Sequence, residues 1–370
     1  MSKNNENKLV PKLRFPEFVM DTEWKTKNLG ELCQYWNGAS HESGVCDDGN
    51  YFLISLNSID IEGNLKSEIK KISYTDDSLQ TNDLVMVLSD VAHGNFLGLT
   101  DIIPSNKYVL NQRMAGLRIK DLDEVNPQFI RYFINKSQKY FKSKGQGSSQ
   151  LNLSKSAVTD FPVLKPSRLK EQQKIAACLT SLDKVITAES QKLDILKDHK
   201  KGILQNLLPQ AGETIPKFRF KEFEESSEWI ETSLTQVADY ENGKAHEQDI
   251  TDDGEFIVVN SKFISQDGEV KKFTNTAFLP ATKGDVLMVL SDIPNGKAIA
   301  KCFLVEEDNR YTVNQRICRI TPRNVNSKIL YYLLNRNPYF LAFDDGVKQT
   351  NLRKDDVLNW IRDFAQVIEE

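Results

Sequence analysis

The sequence predicts a mixed α+β fold in which two duplicated domains are joined by a long coiled-coil-type helix. Three observations carry this prediction. An internal repeat spans both halves, each half holds short apolar runs bounded by turn residues, and a heptad line lies between the halves.

The repeat comes first. Lys12-Leu-Arg-Phe-Pro-Glu-Phe18 recurs as Lys217-Phe-Arg-Phe-Lys-Glu-Phe223, 205 positions on. The same offset relates Trp24 to Trp229, Tyr35-x-Asn37-Gly38 to Tyr240-x-Asn242-Gly243, and His41-Glu42 to His246-Glu247. Val87-Leu-Ser-Asp90 returns as Val289-Leu-Ser-Asp292, Asn111-Gln-Arg113 as Asn314-Gln-Arg316, and Asn152-Leu-x-Lys155 as Asn351-Leu-x-Lys354. The offset falls only from 205 to 199 along the copy, so small loop deletions account for the drift. Within each copy, Tyr51–Leu56 and Phe256–Val259 sit beside Asp-Asp-Gly turns and read as strands. Leu84–Leu88 and Val286–Leu290 follow Asn-Asp and Gly-Asp turns and read as buried strands. Asn126 and Pro127 supply an N-cap and first position for a helix through Ile134, and the counterpart runs from Asn326 to Leu334.

The segment between the copies contains no proline after Pro166 as far as Leu208, and one glycine, Gly202. Ile175, Leu179, Leu182, Ile186, Leu193, Leu196, Ile203 and Leu207 recur at alternating steps of four and three, with Glu189 and Lys200 standing at the expected intervening positions. That is a coiled-coil seam on a rod of about 60 Å, and a single apolar stripe of this length needs a partner helix. The expected organisation is therefore a first domain over 1–165, the helix over 166–209, and a second domain over 210–370.

Composition narrows the class. The chain has 370 residues, 39% apolar and 27% charged, with a mean hydropathy of −0.46. That suits two or three domains without a membrane span, and the N-terminus lacks a signal-peptide apolar region, which points to the cytoplasm. The net charge is −4. Segment 165–209 holds nine basic against five acidic residues, whereas 215–370 holds twenty against twenty-six. Any nucleic-acid site must then be a local patch, or be completed by a partner's charge. Cys33, Cys46, Cys178, Cys302 and Cys318 form no CxxC and read as buried, reduced thiols. Catalytic patterns are weak. Asn337-Pro-Tyr-Phe340 resembles an adenine-methyltransferase motif but lacks its second proline and any cofactor loop. Asp60 with Glu68-Ile-Lys70 only loosely mimics a nuclease triad, and neither a phosphate-binding loop nor a His/Cys cluster is present.

The chain resembles the specificity subunits of type I restriction–modification enzymes. The resemblance rests on Pro11-Lys-Leu-Arg-Phe-Pro-Glu-Phe18 with Trp24 and Leu29-Gly-Glu-Leu32, and on Glu171-Gln-Gln-Lys-Ile-Ala176 leading into Ser181-Leu-Asp-Lys-Val-Ile186. It implies a non-catalytic subunit with two target-recognition domains, each reading one half of a split double-stranded DNA sequence. It also implies docking of partner methyltransferase subunits, two of them, and of a restriction (translocase) subunit. S-adenosylmethionine, ATP and Mg²⁺ would reside on those partners, and this chain would carry no cofactor. Family members usually pair the first long helix with a second. At offset 199 Glu370 falls opposite Glu171, so the seam lacks an intramolecular mate and self-association through it is expected.

DNA reading needs Arg, Asn, Gln and Lys at base edges, and cations, hydroxyls and backbone amides at phosphates. Asn111, Gln112 and Arg113, with Asn314, Gln315 and Arg316, supply such side chains at equivalent positions. Base contact, phosphate contact and loop maintenance all remain open for them. Lys136, Lys139, Lys142 and Lys144, with Ser148, Ser149 and Gln150, form a basic segment running into a glycine–serine loop. The second copy keeps only Lys348 and Gln349 beside acids. His41 and His246 are further DNA candidates, with capping or loop packing as the competing reading. Ser89-Asp90 and Ser291-Asp292 read as turn formers. The alternative function is a truncated, non-reading protein that competes for methyltransferase subunits.

Overall fold

The computed structural model describes residues 11–91, 94–210, 213–292, 298–344 and 349–364. The chain forms two compact units, 1–191 and 192–370. They divide inside the long helix, Leu169–Leu207, rather than at its two ends.

In the first unit, a four-stranded antiparallel sheet runs in the order Cys33–Asn37, Met114–Ile119, Leu84–Val87, Thr100–Ile102. A second sheet sets Tyr51–Ile54 parallel to Tyr108–Leu110, with Lys71–Ile72 on its other side. The first strand of the copy, Lys25–Asn28, pairs antiparallel with the last, Pro162–Lys165. The second unit repeats this order with Ala238–Asn242, Ile317–Pro322, Val286–Val289 and Cys302–Leu304. Its parallel pair is Phe256–Val259 with Tyr311–Val313, and Ile230–Ser233 pairs with Ile361–Phe364. The duplication inferred from the repeat is therefore a duplication of topology.

Strand alternation explains why Leu84-Val-Met-Val87 is apolar throughout. Leu84 and Met86 enter a core with the helix residues Phe129, Ile130 and Ile134, while Val85 and Val87 enter a separate core with Ile54, Leu99 and Leu110. Val286 and Met288 against Leu287 and Val289 divide in the same way. Asn126 and Asn326 cap helices Pro127–Lys136 and Ser327–Leu334, each side-chain oxygen accepting from backbone N–H groups of the first turn. The strand expected over Tyr51–Leu56 ends earlier, at Ile54. The amide of Ser55 donates to the Ser58 hydroxyl at 2.9 Å and turns the chain into a short 3₁₀ segment, Leu56–Ser58.

The long helix starts from a lock. Glu171, 1% exposed, accepts from Nε and Nη2 of Arg14, both at 2.7 Å, and from the Trp24 indole at 3.2 Å. Gln172, also buried, accepts from the Asn126 amide at 3.0 Å and donates to the carbonyls of Glu124 and Pro166. The repeated Arg-Phe-x-Glu-Phe segment is thus the seat of the helix's first turn. In the second unit the same segment is more open. Arg219 donates to the backbone carbonyls of Phe223, Ser226 and Ser227, and Phe223 is 55% exposed where Phe18 is 7%.

Beyond its first turns the helix's apolar seam is uncovered, although Tyr132 bonds Thr180 and Asp183 on another face. Leu179, Leu182, Ile186, Leu193, Leu196 and Ile203 are exposed, Ile186 at 66%, and only the seam's ends, Ile175 and Leu207, are partly buried. No described helix is long and apolar enough to cross a membrane. Cys33, Cys302 and Cys318 are buried as expected, and burial pushes the thiols of Cys33 and Cys318 up to about 12. Cys178 departs from the expectation. It is exposed on the long helix, and Cys46 is half-buried in a loop.

Candidate nucleic-acid interface

The repeated polar motifs meet at one end of each four-stranded sheet. In the first unit the Gly38 amide donates to the Met114 carbonyl at 3.0 Å, Leu88 to Arg113 at 3.0 Å, and Leu153 to Leu88 at 2.8 Å. These bonds stitch the Tyr-x-Asn-Gly, Asn-Gln-Arg, Leu-Ser-Asp and Asn-Leu-x-Lys motifs together. The second unit repeats them, from Gly243 to Ile317 at 2.9 Å, Leu290 to Arg316 at 2.9 Å and Leu352 to Leu290 at 2.8 Å. Lys155 and Lys354 each lie 5.8 Å from the ring centre of Tyr35 or Tyr240, within cation–π range. Burial pushes both phenols up, so they stay neutral donors, and each gives its O–H to Asn37 or Asn242.

The glycines of the first motif have a steric task. A Cβ on Gly38 would lie 2.0 Å from the Asn111 carbonyl oxygen, and one on Gly243 would lie 2.0 Å from that of Asn314. Only glycine lets these strands close against the Asn-Gln-Arg turn. Asn111 is buried. Its Oδ1 accepts the His41 amide at 3.1 Å and its Nδ2 donates to Glu42 at 2.8 Å. Asn314 reaches Glu247 at 3.4 Å, and Gln315 donates to the same carboxylate at 3.1 Å. A bond from its own backbone amide, joined by these side-chain amides, holds the Glu247 carboxyl below the usual range. The two asparagines therefore brace the turn, which is the loop-maintenance reading for them.

Gln112, Arg113 and Arg316 are exposed, and their side chains make no hydrogen bond or ion pair among the described residues. Arg113 is held at φ +69°, a left-handed conformation that costs a non-glycine residue about 1 kcal/mol. In the first unit this turn borders a cleft of about 240 Å³ lined also by Glu42, Ser55, Leu56, Asn57 and Lys70.

The basic segment splits by role. Lys136, Lys139, Ser148 and Ser149 are exposed with no side-chain partner among the described residues. Lys142 donates to Asn95 at 2.8 Å, and Lys144 lies over Tyr140. Gln150 donates to Ser89 at 3.0 Å, and Gln349 to Ser291 at 2.7 Å, so both glutamines tie the strand pair beside the motifs. Gly147, at φ +125° and with its Cβ position 2.0 Å from the Gln150 carbonyl, makes the loop that displays the two serines. Lys348 lies outside the described residues.

The histidines are packing residues. His246 is fully buried, with its ring nitrogens 2.7 Å from the Lys244 carbonyl and 3.0 Å from the Thr312 hydroxyl. His41 is buried between Tyr74 at 3.0 Å and Asp76 at 3.2 Å. Both rings lie inside the fold, His41 8% and His246 0% exposed, which is the packing reading for them. Asp90 and Asp292 accept the loop amides of Phe96 and Ala298, the turn-forming role expected of them. Asp60 caps the amides of Glu62 and Asn64, and Asn337 caps Tyr339, so both residues of the catalytic look-alikes hold local turns. The repeat already marked Glu42 with Glu247, and Lys155 with Lys354, as shared positions. The part they play at the turn and at the tyrosine appears only in the folded chain.

Comparison with known proteins addresses the fold and the family. The model of the type I restriction modification DNA specificity domain matches residues 21–198 and again 226–360. The specificity subunit of the type I restriction enzyme MjaVIII from Methanocaldococcus jannaschii is 23% identical over 340 residues, covering 87% of this chain and 76% of that one. Among solved structures, the S subunit of a type I restriction-modification system from M. genitalium superposes with a TM-score of 0.62 at 13% identity, over 99% of this chain and 87% of its own. A chain from work on complex assembly and conformational transition of the type I R-M system gives 0.50 at 15% identity, over 95% and 86%. These superpositions show the shared fold. With both copies matched by one domain model, the chain belongs to the family of type I restriction–modification DNA specificity subunits.

Proposed function

We propose that each unit reads one part of a two-part duplex sequence through the sheet end where its repeated motifs converge, and that this chain performs no covalent chemistry itself. The observation that carries the reading is the display of the same turn in both copies, braced from behind by Asn and Glu, with arginine side chains in front that have no partner among the described residues. Arg113, Gln112 and Arg316 would meet base edges or phosphates, while Lys136, Lys139, Ser148 and Ser149 suit phosphates beside the first unit. Methyl transfer from S-adenosylmethionine, and ATP- and Mg²⁺-dependent work, belong to partner methyltransferase and restriction subunits. Flipping the adenine likewise falls to the methyltransferase. The exposed seam from Leu179 to Ile203 suits a partner helix, and a second copy of this chain supplies one at high concentration.

The test is selection from a randomised duplex library by the chain purified with its methyltransferase subunit. Two sequence blocks at a fixed gap are expected, with affinity falling linearly as log K against log salt. Retention of the methyltransferase subunit without any selected sequence would instead support the non-reading competitor.

A further inference from the structure

We infer that Asn57 and Lys262 decide which base each unit reads beside its Asn-Gln-Arg turn, and the inference rests on the DNA-reading assignment above. Backbone bonds fix the correspondence. The Asn111 amide donates to Ile54 at 2.9 Å and the Asn314 amide to Val259 at 3.1 Å, so Ser55-Leu56-Asn57 and Asn260-Ser261-Lys262 occupy the same place after the parallel strand. Leu53 donates to Lys70 and Val258 to Lys272, both at 2.8 Å, which pairs those lysines as well.

Around the turn nearly everything is then identical in the two copies: the glycine, the glutamate, the Asn-Gln-Arg and this lysine. Identical groups cannot make two units read different bases. Among the residues lining the cleft of the first unit, only Ser55, Leu56 and Asn57 change between copies. Most of these six side chains are engaged within the fold. Ser55 bonds Ser58, Leu56 packs on the core, Asn260 caps Phe263, and Ser261 bonds the Ser291 carbonyl. Asn57 and Lys262 remain, both exposed and without a side-chain partner among the described residues.

Their chemistries are opposed in a way DNA can use. A carboxamide offers both an N–H donor and an oxygen acceptor, which match N7 and N6 of adenine, whereas an ammonium offers donors only, which match O6 and N7 of guanine. Adenine is thus expected at this position of the first unit's block, and guanine at that of the second. The invariant Gln-Arg pair would supply the grip common to both.

The experiment repeats the library selection with Asn57→Lys and Lys262→Asn, each purified with the methyltransferase subunit. N57K should change adenine to guanine at one position of one block by tenfold or more and leave the other block intact, while K262N should do the reverse in the other block. The intact block reports that the variant chain is folded. Wild-type blocks selected by both variants would overturn the inference. So would loss of a whole block, because a residue that only discriminates leaves the rest legible. A wild-type chain that selects no sequence would overturn the DNA-reading assignment itself, and the inference with it.

Discussion

Replacing Glu171 by alanine should unseat the start of the long helix. The carboxylate is 1% exposed and takes both hydrogen bonds of the Arg14 fork plus the Trp24 indole, while Arg14 is itself 5% exposed. Removing one member of a well-buried ion pair costs about 3–5 kcal/mol, because the other charge is left without a partner. Here the pair lies near the domain surface, with Arg14 Nη2 also donating to the exposed Thr22 carbonyl, so water screens part of the field and about 2–4 kcal/mol is the better figure. For a unit of this size that lowers the melting temperature by roughly 5–15 °C. Calorimetry of the full chain would read the shift, and hydrogen exchange over residues 11–24 would place it. Arg14→Met with Glu171→Met should recover most of the loss, since an apolar pair leaves no orphaned charge. Arg219→Met, at the same repeat position but bonded to backbone carbonyls alone among the described residues, should cost about 1 kcal/mol or less. Equal shifts for E171A and R219M, or none for E171A, would refute the lock.

Gly38→Ala and Gly243→Ala each place a methyl group 2.0 Å from a backbone oxygen, so each should destabilise its own unit by about 1–3 kcal/mol and abolish one block of the selected sequence. Thermal melts with library selection would check both effects. Arg113→Gln and Arg316→Gln should each lower the slope of log K against log salt by about one, read from binding titrations across salt. Leu182→Glu with Ile186→Glu should turn a self-associating chain into a monomer at tens of micromolar by sedimentation. Helicity should not change, because both side chains are exposed.

The duplication and its strands could be read from local pattern and repetition. Strand pairing keeps the repeat register: Tyr35 faces Leu117 and Tyr240 faces Ile320, and the N-caps Asn126 and Asn326 stand where the Pro and the apolar spacing put them. What could not be read depended on partners distant in the chain. The Glu171-Gln172 pair is visible as a motif, but its function requires Arg14, 157 residues away, and Trp24. His246 looks like a loop candidate until Thr312, 66 residues on, is seen to hold its ring in the core. Asn57 and Lys262 carry no signal in the repeat because they interrupt it instead of continuing it. The helix is legible as a separate segment, yet Ala176 within it belongs to the first core and Leu208, just past its end, packs on the second.

The most direct measurement is a map of methylated adenines in a host carrying this chain with its methyltransferase partner, set against the same host carrying the partner alone. Two duplicated readers predict one new methylation motif made of two different short blocks at a constant gap. An unchanged map, or a single uninterrupted motif, would contradict them.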